Sequence, residues 1–159
     1  MIFSIFWKID QGSLGFKNQP TPIRQLNHDS KKPLSLKITN AKISLNIEES
    51  EIVNGNWEVS RHGVSHLNTS SIPGNRGNIV IYGHNKSNIL GSLDSVEIGD
   101  EIIITTRNNE NHKYVVRSIE VVSPSRVDVI NPTEIEVLTI YTCTGFLDSK
   151  RLVVKAEPV

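Results

Sequence analysis

Cysteine is almost missing from this 159-residue chain, which contains a single one, Cys143. One cysteine cannot form a disulfide within the chain, and it cannot supply the several thiolates of a structural zinc site. Charge of one sign is not in excess either, because 17 basic residues balance 17 acidic ones. This balance removes the electrostatic argument for nucleic-acid binding. The five histidines are scattered along the chain, so the sequence predicts neither a metal centre nor a cofactor.

The N-terminal apolar run, Met1–Trp7, is also too short to act as a membrane span, since a spanning helix needs about 20 apolar residues. Two interpretations stay open for this run: an ordinary chain terminus, or the trailing end of a membrane anchor. The following residues hold two prolines and little periodicity. We therefore predict that residues 1–33 form a poorly ordered juxtamembrane or linker segment that buries little surface, and that residues 34–159 form one domain.

From Leu34 onward, apolar and polar residues alternate as they do in half-buried strands. The spacing of Ile89, Leu90, Leu93 and Val96 predicts a short helix as well. About seven or eight short strands with one or two small helices indicate an all-β fold, and the pattern alone leaves a sandwich and a barrel open. The predicted strands are 34–38, 43–47, 57–59, 78–82, 101–106, 113–122, 136–142 and 151–156.

Three strands each bring a chemically useful side chain to one end. Cys143 ends an apolar strand, His84 follows the strand Val80–Tyr82 through a glycine, and Arg151 opens the last strand. Each has an ordinary interpretation when taken alone: a buried cysteine, a loop histidine and a surface arginine. Together, a thiol, an imidazole and a guanidinium are the parts of a cysteine acyl-transfer site. His62 and His66 are interpreted as surface loop residues without a catalytic role.

The motifs around these three residues resemble those of the sortase family, the cysteine transpeptidases of bacterial surfaces. The family signature Thr-Leu-x-Thr-Cys, followed by an arginine, is similar to Thr139–Cys143 and Arg151, with isoleucine in place of leucine. The further matches occur in the family order over roughly residues 36–154. One short motif would be weak evidence, but the ordered set is strong evidence. They are Val64–Leu67, Pro73-Gly74, Gly77-Asn78, Ile79–Ile81, Gly83-His84 and Gly99-Asp100.

The resemblance implies a closed β-barrel in which the strands of Cys143 and Arg151 are neighbours. It also implies three catalytic roles: Cys143 as the nucleophile, His84 as the proton carrier, and Arg151 as the oxyanion donor or a clamp on the substrate backbone. We expect the oxyanion role for Arg151. Thr142 is the predicted substrate-binding residue, because its backbone could supply a second donor.

The implied substrates are secreted proteins with a C-terminal sorting signal of the LPxTG kind, cleaved after threonine. The implied acceptor is an amine on a cell-wall precursor or a pilin, at the extracytoplasmic face of the cell membrane. The connection 123–134 would help to read the signal. Its modest length and the eight positions from Cys143 to Arg151 (151 − 143 = 8) indicate a compact variant similar to classes D or E. A cysteine peptidase that releases its acyl group to water and a non-catalytic peptide-binding barrel remain the alternatives.

Overall fold

The computed structural model describes residues 14–16 and 29–159. Short 3-10 helices occur at Asp29–Lys31, Leu93–Ser95, Val127–Ile130 and Phe146–Asp148. The strands of the described part are β1 (Pro33–Ile38), β2 (Ile43–Ser50), β3 (Ile52–Val53), β4 (Asn56–Trp57), β5 (Val64–Leu67), β6 (Gly77–Tyr82), β7 (Glu101–Thr106), β8 (Asn111–Val122), β9 (Glu136–Thr144) and β10 (Lys150–Pro158).

Eight of these strands close into a barrel in the order β1-β2-β5-β6-β9-β10-β8-β7. Two neighbouring pairs, β2 with β5 and β6 with β9, are parallel, and the remaining pairs are antiparallel. The predicted all-β barrel of seven to eight strands is therefore confirmed. The predicted strand around Trp57 is found outside the barrel, where β3 and β4 form a small separate hairpin.

Side chains that alternate between the two faces of the strands belong to two separate apolar clusters. On β9, Leu138 and Ile140 belong to the cluster that fills the barrel, whereas Tyr141 and Cys143 belong to a second cluster. Because successive side chains of a strand point to opposite faces, the second cluster covers the outer face of the barrel at this point. We call this outer surface of β6, β9 and β10 the groove face. It also carries Tyr82 and Val153.

The helix predicted over residues 89–96 is replaced by turns and the short 3-10 helix Leu93–Ser95. The four apolar residues that suggested it are all buried, so their spacing marked burial rather than a regular helix. At Gly91 the chain turns tightly: its N–H donates to the carbonyl of Lys86 at 2.8 Å, and a Cβ there would lie 2.7 Å from that oxygen. A helix this short has little hydrogen bonding to offset the cost of nucleation.

The interpretation of His66 as a surface loop residue is wrong. His66 lies on β5 and its exposed fraction is 0%. Its Nδ1 is 2.6 Å from the Glu49 carboxylate and its Nε2 is 2.9 Å from the carbonyl of Ser71. Both ring nitrogens therefore contact polar atoms of the protein, and the contact with Glu49 links β5 to β2. His62, in contrast, is exposed as predicted.

Three residues of the N-terminal segment, 14–16, belong to the described structure. Leu14 and Phe16 are buried, which differs from the expectation that this segment buries little surface. The run Met1–Trp7 lies outside the described residues, and the linker assignment of residues 1–33 stays a prediction. In the described ranges, no helix is both long and apolar enough to cross a membrane.

Candidate active site

The pairing of β9 with β10 brings Cys143 and Arg151 together. They are direct cross-strand partners in an antiparallel pair, so their side chains project from the same face of the sheet. Both side chains are buried, with exposed fractions of 4% and 3%. The alternative interpretation of Arg151 as one more surface arginine is therefore wrong.

His84 is delivered to the same end of the barrel by β6. In the parallel pairing of β6 with β9, Tyr82 lies beside Tyr141, and the ladder continues when the N–H of Gly83 donates to the carbonyl of Tyr141. His84 and Cys143 each lie two residues beyond this matched pair. His84 thus follows the end of the paired ladder on the β6 side, as Cys143 does on the β9 side, and its side chain is half-buried.

Thr142 joins the two strands that carry the thiol and the imidazole. It is buried, and its hydroxyl donates a 2.7 Å hydrogen bond to the carbonyl of Gly83, the residue before His84. This bond uses the side chain to hold the β6 end against β9. A substrate contact through the Thr142 backbone stays a prediction.

The guanidinium of Arg151 is held in a fixed orientation by backbone carbonyls. One terminal nitrogen donates to the carbonyls of Asp148 and Lys150 at 2.9 and 3.0 Å. Nε donates to the carbonyl of Leu14, and the other terminal nitrogen to that of Gly15, both at 2.9 Å. The rigid donor fork of arginine can hold two successive peptide carbonyls in this way, which the ammonium of lysine cannot do.

Sequence reasoning missed the aromatic part of the groove face. Tyr82 and Tyr141 stack with ring centroids 5.5 Å apart, and Trp57 stands edge-on to them at 5.0 and 6.1 Å. Phe16 completes the group at 4.8 Å from Tyr141. Two signals were available: Tyr82 and Tyr141 occur two residues before His84 and Cys143, on the faces of the strands that carry the site. Trp57 had no such signal.

The two tyrosines of this group are not proton carriers at neutral pH. Burial raises the pKa of the Tyr141 hydroxyl well above its usual range, with a further rise from the neighbouring Tyr82. Burial likewise raises the pKa of Tyr82, whose hydroxyl donates to the carbonyl of Glu58 at 2.6 Å. A phenol with a raised pKa stays protonated, so these rings contribute apolar surface and hydrogen-bond donors rather than a base.

The connection between β8 and β9 forms one wall of the groove face. Val127, Val129 and Ile130 from its 3-10 helix pack in the same cluster as Cys143. Asn78 ties this wall to the barrel, because its Nδ2 donates to the carbonyls of Val129 and Asn131 at 3.1 and 3.0 Å. The Asn78 amide oxygen accepts a 2.6 Å bond from the hydroxyl of Thr139.

Asn78→Ala should therefore both destabilise the fold and disturb the groove wall. It leaves a buried hydroxyl and two carbonyls without their partner, and we expect the free energy of unfolding to fall by about 2–3 kcal/mol. We also expect the Michaelis constant for a peptide substrate to rise. Urea unfolding and steady-state kinetics measure the two effects. Asn40→Ala, which removes one exposed hydrogen bond to Asp100, is the control. A variant that is less stable but has an unchanged Michaelis constant would show that this wall does not contribute to peptide binding.

Within residues 14–16 and 29–159, no three His, Cys, Asp or Glu side chains converge in a way that could hold a metal ion. The chemistry available at this end of the barrel is that of a thiol beside a guanidinium, with an imidazole two residues beyond the end of the adjoining strand β6. Groups of these three kinds can act as a nucleophile, a charge donor and a proton carrier, and these roles stay predictions for Cys143, Arg151 and His84.

A family model described as the Sortase domain matches residues 36–159. The chain belongs to the sortase family. The sortases are cysteine transpeptidases, so the family and the residues at the groove face point to the same chemistry.

Individual sortases are similar over most of the barrel. Sortase A of Bacillus anthracis is 31% identical over 88 residues, which are 53% of this chain and 41% of that protein. The match therefore spans less than half the length of that relative. A lid mutant of sortase A from Corynebacterium diphtheriae superposes with a TM-score of 0.68 and 30% identity, covering 80% of this chain and 69% of the other. A sortase D5 transpeptidase from Clostridium perfringens gives 0.68 and 28%, covering 80% and 79%.

Proposed function

We propose that this sortase cleaves a C-terminal LPxTG-like sorting signal after its threonine and transfers the acyl group to an amine of the cell wall or a pilin. The observation that supports this best is the pairing of β9 with both its neighbours. It sets Arg151 directly opposite Cys143, and the β6–β9 ladder ends at the pair Tyr82 and Tyr141, two residues before His84 and Cys143. Secreted proteins with a sorting signal would be its substrates, at the extracytoplasmic face of the cell membrane.

In the first half-reaction, the Cys143 sulfur attacks the threonine carbonyl carbon and a tetrahedral oxyanion forms. The carbon–nitrogen bond to the next residue then breaks, His84 gives its proton to the departing amine, and a thioester remains on Cys143. In the second, the incoming amine attacks the thioester and loses a proton to His84. An amide forms and the Cys143 thiolate leaves, so the enzyme returns to its starting state.

Arg151 has two uses in this scheme. Its guanidinium is a preorganised donor for the oxyanion, a contribution worth roughly 3 kcal/mol in other acyl-transfer enzymes. The bonds to the carbonyls of Leu14 and Gly15 support a second use, since the same fork would hold the backbone carbonyls of a bound peptide. Burial of the guanidinium strengthens both interactions, because little water screens them.

Arg151→Lys tests these uses while keeping the charge. A lysine cannot present parallel donors, so we expect kcat to fall by about 10²–10³-fold. A smaller rise in the Michaelis constant should accompany it if the fork also binds the ground state. Arg117→Lys, at an exposed ion pair with Glu157, is the matched control and should behave as the parent. Near-parental kinetics in Arg151→Lys would show that only the positive charge of Arg151 matters, and neither the oxyanion role nor the clamp would stand.

The proposed function is tested directly by mass spectrometry of the intact chain after incubation with a library of sorting peptides. A mass gain on Cys143 equal to a peptide's N-terminal fragment identifies both the nucleophile and the signal. Repeating the reaction with and without an added amine separates transfer from release to water. A chain that gains no mass with any peptide would contradict the proposal.

A further inference from the structure

His66 is a fully buried histidine that the proposed mechanism does not use. On β5 it pairs with Glu49 of β2 on one side and with Ile81 of β6 on the other. Its Nδ1 lies 2.6 Å from a carboxylate oxygen of Glu49, and its Nε2 lies 2.9 Å from the carbonyl oxygen of Ser71. The ring therefore stands between a carboxylate and a carbonyl, two groups whose oxygens accept hydrogen bonds.

Ser70, His66 and Glu49 follow the order of a serine triad, but their hydrogen bonds do not suit that chemistry. A triad histidine takes the proton of the serine hydroxyl. The hydroxyl of Ser70 instead donates to the carbonyl of Leu67 at 2.7 Å, and its oxygen lies 3.2 Å from His66 Nε2. The same nitrogen is closer to the carbonyl of Ser71, at 2.9 Å. The ring is therefore placed to donate at Nε2 and not to act as a base.

The partners of the ring indicate how many protons it carries. A carbonyl oxygen has no proton to give, so Nε2 must carry one to bond to Ser71. At Nδ1, the short contact with Glu49 needs a proton between the ring and the carboxyl group. Lys32 lies 3.8 Å from the second carboxyl oxygen of Glu49, and its positive charge favours the ionised carboxylate. The second proton therefore also belongs to the ring, which makes His66 an imidazolium.

We propose that the imidazolium of His66 is a pH-sensitive link that ties β5 to β2 and to the turn Ser70-Ser71, so that the barrel becomes less stable as the pH rises above neutral. The turn is in turn bonded to β6. The N–H of Ser71 donates to the carbonyl of Asn78 at 2.9 Å, and the N–H of Val80 donates to the hydroxyl of Ser70 at 3.1 Å. When the ring loses a proton, one of its nitrogens faces an oxygen lone pair with its own. A buried polar atom that loses its partner in this way destabilises the folded state.

The other charges on this side of the ring form a chain of ion pairs. Lys32, just before β1, lies 3.2 Å from Asp29, and Asp29 lies 3.0 Å from Arg107, just after β7. A hydrogen bond from Lys32 and the charge of Arg107 hold the pKa of the Asp29 carboxyl below its usual range. Asp29 therefore stays ionised at neutral pH, and it does not compete with His66 for a proton.

Two more titratable side chains lie on elements next to the ring. Glu51, which follows β2, accepts a 3.0 Å bond from Asn68, two residues after His66. Tyr82, on β6, stays protonated because burial raises the pKa of its hydroxyl and nearby carboxylates add to the rise. Histidine is the side chain whose charge ordinarily changes between about pH 5 and 8, so the imidazole is the group that couples this region to pH.

Folding takes up a proton at His66 above neutral pH, which sets the sign of the effect. In an unfolded chain a histidine loses its second proton near about pH 6.5, whereas the folded ring keeps it. Stability falls as the pH rises wherever the folded state binds the extra proton. The contribution of the link is fully present below about pH 6.5 and is lost as the pH rises through the titration of the folded ring. One proton changes the unfolding equilibrium constant by at most about tenfold per pH unit.

Glu49→Gln removes the proton uptake and keeps a hydrogen bond, because a neutral amide can donate to Nδ1 of a neutral ring. Urea unfolding of both chains between about pH 6.5 and 9 is the test, and it needs no peptide substrate. We expect the unfolding equilibrium constant of the parent to rise several-fold more per pH unit than that of the variant. Glu48→Gln, which changes an exposed carboxylate on the same strand, is the control and should keep the parental slope. Parallel pH dependences in the parent and Glu49→Gln would overturn the proposal.

Nitrogen NMR of the labelled parent chain is the second test, and it decides the matter even if Glu49→Gln does not fold. At about pH 8 the two ring nitrogens of His66 should resonate close together, as they do in an imidazolium. The exposed His62 is the internal control and should show the widely separated nitrogens of a neutral ring. Separated nitrogens at His66 under the same conditions would contradict the proposal.

Discussion

Cys143→Ala is expected to abolish peptide cleavage and transfer. No other residue of the chain carries a thiol, so the variant cannot form the thioester by any other route. Turnover should fall to the background of the assay, a larger loss than from any other single change considered. Intact-mass measurement with the sorting-peptide library should at the same time show no acyl adduct.

The same substitution should leave the fold in place. Cys143 is buried in the groove face, but alanine loses only the sulfur, and we expect the melting midpoint to drop by a few degrees at most. Cys143→Ser is a second variant that keeps the volume and replaces the thiolate by a much weaker nucleophile. An alanine variant that cleaves as fast as the parent would show that the nucleophile lies elsewhere. One that unfolds would indicate a packing role instead.

The barrel strands were predictable because their burial is periodic. On β7, residues 101–106 alternate between exposed or partly exposed and buried positions, and the predicted bounds are those of the structure. On β6, the apolar run indicated a central strand, and all six residues are buried. An alternating pattern indicates a strand with one buried face, as on β7, and a continuous apolar run indicates a strand with two buried faces, as on β6.

The candidate site residues on the barrel were predicted on a different basis. Cys143, His84 and Arg151 each follow or open a predicted strand, so the prediction placed each of them at a strand end. Nothing in the pattern gave the order of the strands, and it was the resemblance that made the strands of Cys143 and Arg151 neighbours. The pairing of Arg151 with Cys143 supplies the register that the sequence lacked.

The features that were missed have no periodic signal. His66 lies in a four-residue strand buried on every side, so no alternation distinguishes it from a loop. Leu14 and Phe16 flank a glycine in a segment rich in polar residues, and their burial is decided by partners more than 40 positions away, Trp57 and Arg151. Contacts between distant residues of this kind leave no local pattern in the chain.

His84→Gln should give the second-largest loss, because glutamine keeps a polar side chain but cannot carry a proton at neutral pH. General acid–base catalysis typically contributes about 10²–10⁴-fold, and we expect kcat to fall by that amount. The Michaelis constant should change little, because the proposed role of His84 begins after the peptide is bound. The pH–rate profile should lose the limb that reports the imidazole.

The matched control is His112→Gln, since His112 lies beside Gly74, whose N–H is bonded to Glu136 at the start of β9. Cys143 lies seven positions after Glu136 on β9, roughly 23 Å at the usual rise, so this histidine is remote from the thiol. The control should keep the parental rate and profile. The alkylation rate of Cys143 adds a second readout: a slower reaction in His84→Gln at neutral pH would mean that the imidazole also raises the thiolate fraction. A His84→Gln chain with an unchanged rate and profile would remove His84 from the mechanism.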